Sequence, residues 1–71
     1  MTVNINPESF TDISTGSCTI SSNSNTRLVR IYEGDKFIVE SYLNEPITIL
    51  TDIGLKAKSY DKAVDINVES L

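Results

Sequence analysis

The sequence predicts an all-β fold: a small antiparallel barrel or two-layer sandwich of five to seven short strands. Three observations support this prediction. Apolar and polar residues alternate with period two in several short runs, turn residues separate these runs, and no long segment shows helical spacing. A length of 71 residues gives room for one β-rich domain, residues 1–71.

The first third of the chain predicts two strands with a turn between them. Residues 3–5 alternate apolar and polar side chains, as a short strand requires. Asn6 can cap a helix and Pro7 suits a first helical position, so we expect a short helical turn near residues 7–13. Alternation resumes at 18–20 as a half-buried strand. The Ser/Asn-rich stretch that follows, 21–25, is predicted to be a polar loop.

The strongest local signal is a hairpin centred on Gly34 and Asp35. Two runs rich in β-branched and aromatic residues, 26–33 and 36–43, flank these two turn residues. Gly34 can supply the positive φ that a tight hairpin turn needs. A regular two-residue loop pairs Tyr32 with Phe37 and Ile31 with Ile38.

This register divides the hairpin into two faces. We expect the core face to carry Leu28, Tyr32, Phe37, Val39 and Leu43, with Arg30 and Ser41 among them. The more polar face is expected to carry Val29, Ile31, Ile38 and Tyr42, with Arg27, Glu33, Lys36 and Glu40. The more polar face still has enough apolar area to need cover, either from other strands of the domain or from a partner. If a partner covers it, the predicted contact residues are Ile31, Ile38 and Tyr42, since a rigid aromatic flanked by aliphatic side chains is a usual anchor.

The C-terminal part predicts three further strands. Short alternating runs occur at 47–49 and 55–57, after the turns at Pro46 and Gly54. The run at 64–68 is the clearest alternation in the chain. A helix is the alternative for this last segment, because several of its apolar residues also fall at helical spacing. Three β-branched residues favour the strand.

The residue types present argue against catalysis. The chain contains no histidine, so the common histidine relays are excluded and no catalytic residue is predicted. Cys18 is the only cysteine and shares a strand face with Ile20, which predicts a buried structural side chain. We therefore expect a protein that is not an enzyme.

No cofactor or metal site is predicted either. The three glycines lie too far apart for a phosphate-binding loop. The acidic group formed by Asp61, Asp65, Asn67 and Glu69 lacks the spacing and the glycine of a calcium loop, so we interpret it as a solvated face.

Charge and hydropathy limit the partners. A net charge of -4 and a pI near 4.5 predict no direct binding to nucleic acid, which depends on lysine and arginine. No signal peptide or membrane-spanning run is evident, so we expect cytoplasmic synthesis without a signal peptide. The expected partner is a protein, or another copy of this chain.

Two classes of function remain. The first is a non-enzymatic structural or assembly module that binds copies of itself or a larger protein assembly, for example a virion accessory, capsid decoration or fibre component. The alternative is a small acidic inhibitor, of the phage anti-defence type, that covers a basic surface of a nucleic-acid-processing enzyme. Ser/Thr/Asn-rich edges and the two-sided hairpin favour assembly, whereas clustered exposed acids would favour the inhibitor.

Overall fold

The computed structural model of the protein describes residues 1–22 and 27–71. These residues form eight strands: β1 (Thr2–Ile5), β2 (Thr11–Ser14), β3 (Cys18–Ser22), β4 (Val29–Glu33), β5 (Lys36–Ser41), β6 (Ile47–Ile49), β7 (Leu55–Ser59) and β8 (Val64–Ser70). No helix that could cross a membrane occurs in these two ranges. Part of the predicted polar loop at 21–25, and the start of the predicted run 26–33, lie outside the described residues.

The strands form two antiparallel four-stranded sheets that pack as a sandwich. The strand order is β1-β8-β3-β6 in one sheet and β2-β7-β4-β5 in the other. Of the two architectures that the sequence left open, the structure is the two-layer sandwich. It has one strand more than the upper limit predicted, and the additional strand is β2.

The predicted helical turn near residues 7–13 is wrong: residues 7–9 form a bend, no helix is present among the described residues, and β2 begins at Thr11. The capping role of Asn6 is present, because its Oδ1 accepts the backbone N–H groups of Glu8 and Ser9, each at 3.1 Å. The chain then enters β2, which pairs with β7 and points Ile13 into the core at 3% exposure. Pairing with β7 and burial of Ile13 therefore override the local preference for a helical turn.

The core between the sheets is aliphatic. Its buried apolar residues are Ile5, Ile13, Cys18, Ile20, Val29, Ile31, Leu43, Ile49, Leu55, Ala57, Val64, Ile66 and Val68. The three β-branched residues of β8 all point inward, which confirms the strand prediction for this segment. Cys18 is fully buried, as predicted, and is a free thiol.

The hairpin of β4 and β5 confirms the predicted turn but not the whole register. Gly34 has φ 62°, and the first two pairs behind the turn are as predicted, including Tyr32 with Phe37. A β-bulge then shifts the register, so that Ile31 pairs with Val39 and Ile38 is the extra residue.

The predicted division of the hairpin into faces is wrong for β4 and for Phe37, whereas Leu43 is buried in the core as predicted. On β4 it is Val29 and Ile31 that point into the core, with 1% and 0% exposure, while Arg30 and Tyr32 point outward. The outward position of Arg30 follows from the cost of burying a guanidinium group, which exceeds the gain from burying the Tyr32 ring beside it. The hairpin thus places its aromatic side chains on the outer surface of the sheet.

The edges of both sheets are short or irregular. β6 has three residues and β1 has four, while the two edge strands of the other sheet, β2 and β5, both contain register shifts. Short and bulged edge strands are poor templates for pairing with another chain. The larger surfaces open to a partner are the outer faces of the two sheets.

Candidate functional site

The outer face of the β1-β8-β3-β6 sheet is built from short polar side chains. We call it the polar face, and its residues are Thr2, Asn4, Thr19, Ser21, Thr48, Asp65, Asn67 and Glu69. These side chains bond to one another across strands: Asn4 Nδ2 donates to Asp65 Oδ1 at 2.9 Å, and the Thr19 and Thr48 hydroxyls are 3.0 Å apart. The polar face carries two acids and neither a cation nor an aromatic ring.

The outer face of the β2-β7-β4-β5 sheet has the opposite character. We call it the aromatic–cationic face, and its residues are Phe10, Arg30, Tyr32, Phe37, Lys56, Lys58 and Tyr60. Strand alternation places them there, because Leu55, Ala57 and Ser59 of β7 point inward and their neighbours must point outward. The same alternation applies along β4.

The aromatic rings form a continuous row across the sheet. Phe10, just before β2, contacts Tyr32 of β4 edge to face, with ring centroids 4.9 Å apart and an interplanar angle of 81°. Tyr32 contacts Phe37 of β5 at 5.6 Å and 70°. Edge-to-face pairs contribute about 0.5–1.5 kcal/mol each beyond area burial, so the row is held in place.

The cations lie against these rings. Lys56 Nζ is 4.6 Å and Lys58 Nζ 5.0 Å from the centre of the Phe10 ring. Arg30 Cζ is 5.4 Å from the centre of the Tyr60 ring. Attraction between a cation and the negative face of a ring stabilises these positions.

Acidic side chains on the neighbouring elements pair with part of this charge. Arg30 Nε donates to Glu40 Oε1 at 2.7 Å, and this hydrogen bond, with the attraction of the Glu40 carboxylate, raises the pKa of Arg30 above its ordinary value. Lys56 Nζ lies 3.7 Å from Asp35 Oδ1 in the hairpin turn. Both contacts are solvent-exposed and add little to stability.

None of the five aromatic residues of the protein lies in the core, although all five belong to the described residues. Phe10 is 43% exposed, Phe37 50%, Tyr42 52% and Tyr60 60%. Aromatic side chains usually supply much of the apolar burial of a small domain. Here the fully buried core consists of aliphatic residues and Cys18, and the aromatic side chains keep exposed apolar surface outside it.

The structure does not bring the three predicted contact residues together. Ile31 is fully buried in the core, where a partner cannot contact it. Ile38 is half-buried at the bulge and packs against the core. Tyr42 is exposed and lines a cleft of about 310 Å³ together with Arg27, Leu28, Tyr60 and Asp61.

Phe10, Lys56 and Lys58 were not among the predicted site residues. A signal for the two lysines exists, since they alternate with Leu55 and Ala57 and must share the outward face of that strand. No signal in the sequence shows that Phe10 lies between them, because that contact depends on the long-range pairing of β2 with β7.

The chemistry that this face offers is recognition: rings for apolar contact and cations for a negative group. Within 1–22 and 27–71, no three His, Cys, Asp or Glu side chains are grouped to hold a metal ion. No family model, curated protein or solved structure matches the chain.

Proposed function

We propose that the protein is a non-enzymatic binding module that associates with a protein partner, either copies of itself or a larger protein assembly, through the aromatic–cationic face. The observation that carries this proposal is the placement of all five aromatic residues outside an aliphatic core, four of them on the outer side of one sheet. Aromatic rings that stay partly exposed after folding keep apolar surface that a partner can cover, and this favours association.

The composition of the face supports a protein partner. Tyrosine, phenylalanine and arginine are enriched at protein interfaces, and tyrosine and arginine in particular supply much of their binding energy. The row from Phe10 through Tyr32 to Phe37 is held by ring contacts, so little side-chain entropy is lost when a partner covers it.

The edges of the sheets support contact through a face rather than through strand addition. An additional strand would have to pair with three or four residues in one sheet, or with a bulged strand in the other. Either pairing is short or interrupted, so main-chain hydrogen bonds can add little to affinity.

The inhibitor alternative depended on clustered exposed acids. In the part of the chain that the structure describes, the acidic side chains form no group of three that could share an ion. The polar face has two acids, and three others rim the aromatic–cationic face: Asp12, Asp35 and Glu40. This spread of negative charge supports the assembly module more than the inhibitor.

A pair of double variants tests the proposal. Phe37→Ser with Tyr60→Ser removes exposed rings from the face, and Leu50→Ser with Leu71→Ser removes exposed apolar side chains elsewhere, which are 77% and 71% exposed. Sedimentation velocity over a concentration series measures self-association, and capture from the native source followed by mass spectrometry measures partner binding.

We expect the wild type and the leucine variant to associate equally, and the aromatic variant to lose association at least tenfold. Tyr42→Lys adds a test of the one predicted contact residue that is exposed. The proposal fails if the aromatic variant associates like the wild type, or if the wild type stays monomeric and captures no more than the aromatic variant.

A further inference from the structure

Three cations occupy adjacent outward positions on the two central strands of the aromatic–cationic face. Arg30 of β4 is directly opposite Lys58 of β7, and Lys56 lies two residues before Lys58 on the same side of β7. Like charges directly opposite each other in a sheet destabilise the fold. Folding alone therefore does not account for this arrangement.

The positive charge of Lys58 is the least compensated of the three. Arg30 has Glu40 at 2.7 Å and Lys56 has Asp35 at 3.7 Å, whereas no described carboxylate lies within 4.0 Å of Lys58 Nζ. The nearest recorded contact of that ammonium group is the Phe10 ring. Attraction to the ring holds the ammonium group in place but leaves its charge without a carboxylate partner, so Lys58 can still attract a negatively charged group.

We propose that an acidic segment of the protein partner docks here, with a carboxylate seated among Lys56, Lys58 and Arg30; this inference rests on the proposed binding function. The rings of Phe10, Tyr32 and Tyr60 lie beside these cations. Once the docked segment covers this position and excludes water, the apolar rings strengthen the ion pair relative to open water. Apolar side chains that flank this carboxylate in the partner's segment would then pack on the row of Phe10, Tyr32 and Phe37.

The surrounding charges restrict the size of the anionic group. Asp12 of β2 is opposite Lys56, and Glu40 of β5 is opposite Arg30, so acids flank the cationic positions on both sides. A polyanion with a phosphate at every residue would meet these acids. A single carboxylate flanked by apolar residues avoids them.

Positive charge is concentrated on this face. The chain has six lysine and arginine residues against ten acids, and half of those cations are the three on this face. Repulsion from the distant acids is screened beyond about 8 Å at physiological ionic strength, so the local cations decide the contact.

The probe is the capped peptide Gly-Glu-Leu-Glu-Gly, titrated into the ¹⁵N-labelled full chain and followed by amide chemical shifts. Its matched control is the capped peptide Gly-Gln-Leu-Gln-Gly, and inorganic phosphate and an oligothymidylate are two further probes. We expect saturable shifts centred on residues 30, 56 and 58 with the glutamate peptide, weakening as salt is added. Equal shifts with the glutamine peptide, or tighter binding of phosphate or oligothymidylate, would overturn the proposal.

Lys58→Glu gives a second readout that separates binding from folding. It places an acid opposite Arg30, so thermal stability should stay the same or rise while affinity for the glutamate peptide falls at least fivefold. Lys62→Glu makes the same charge change in the turn before β8 and should alter affinity less than twofold. Equal losses in the two variants would mean that net charge, and not this site, attracts the peptide.

The same variants distinguish failure of this inference from failure of the proposed function. If Lys58→Glu associates with its partner as the wild type does, but Phe37→Ser with Tyr60→Ser does not, the face binds and the acidic segment is wrong. If neither substitution changes association, the proposed function itself fails.

Discussion

Ile31 of β4 pairs with Val39 of β5, one residue beyond the partner that a regular two-residue hairpin would give it. The bulge residue Ile38 absorbs the difference and keeps its side chain half-buried against the core. The bulge also separates the two ends of β5: Phe37 faces outward beside Tyr32, while Val39 pairs with a core residue. One extra residue thus lets a single strand serve both the surface row of rings and the core.

The first prediction compares the two isoleucines of this hairpin. Ile31→Ala should lower the free energy of unfolding by about 2–5 kcal/mol, because it leaves a cavity at a fully buried position. Ile38→Ala should cost markedly less, since the bulge leaves that side chain partly in solvent. Urea denaturation of both variants measures the difference. Equal losses of unfolding free energy in the two variants would mean that Ile38 is a core residue and that the hairpin has no bulge there.

The second prediction concerns the hairpin turn. Gly34 adopts φ 62°, and a Cβ atom there would meet only ordinary contact with Ile53 at 3.7 Å, so substitution is limited by backbone conformation and not by space. Gly34→Val should destabilise the protein by about 1 kcal/mol or more. Gly34→Asn should cost less, because asparagine tolerates positive φ. Thermal melting ranks the stability of the Gly34→Val and Gly34→Asn variants. Equal stability of the two variants would show that residue 34 does not adopt a positive φ.

The third prediction uses the other residue with positive φ. Leu43 has φ 58°, and its side chain is buried at 1% exposure. The N–H group of Leu43 donates to Ser41 Oγ at 2.9 Å, and its carbonyl accepts the N–H of Ser22 at 3.0 Å. Both Leu43→Ala and Leu43→Gly lose the core side chain, but only glycine relieves the left-handed conformation, which costs other residues about 1–2 kcal/mol.

Glycine should therefore be no more destabilising than alanine at this position. At Ile31, within a regular strand, the usual order should hold, with glycine worse than alanine by about 0.5–1 kcal/mol. Chemical denaturation of the alanine and glycine variants at Leu43 and at Ile31 gives the order of stability at each position. The same order at both positions would rule out the left-handed conformation of Leu43.

The fourth prediction compares two serines. Ser59 is 3% exposed, and its hydroxyl has no hydrogen-bond partner within the described part of the chain, so Ser59→Ala should leave stability unchanged or raise it by about 1 kcal/mol. Ser17 Oγ accepts the N–H of Thr51 at 2.9 Å and donates to its carbonyl at 3.2 Å, so Ser17→Ala should cost about 1–2 kcal/mol. Calorimetry should show a loss of stability for Ser17→Ala and none for Ser59→Ala, and equal losses in the two variants would contradict the prediction.

Most of the strands could be predicted because alternation with period two is a local property of the sequence. The segments containing Cys18, Gly34 and Ile66 follow this pattern, and the structure places a strand or a turn at each one. β2 was missed because Asn6 and Pro7 carry genuine helix-start signals, and only long-range pairing with β7 overrides them.

The site was harder to predict because it depends on which face of each strand points outward. Arg30 was placed on the predicted core face, and its charge is the local clue that this face lies in solvent. The bulge at Ile38 has no comparable marker in the local sequence. The opposition of Arg30 and Lys58 joins strands separated by more than twenty residues and has no local signature.

The aliphatic core also determines which spectroscopic signals report on this protein. The chain has no tryptophan, and none of its three tyrosines lies in the core. Tyr42 and Tyr60 are 52% and 60% exposed, so their phenol rings are already largely hydrated in the folded protein. Tyrosine emission should therefore respond when a partner covers Tyr60, and an optical titration without any attached dye would record docking.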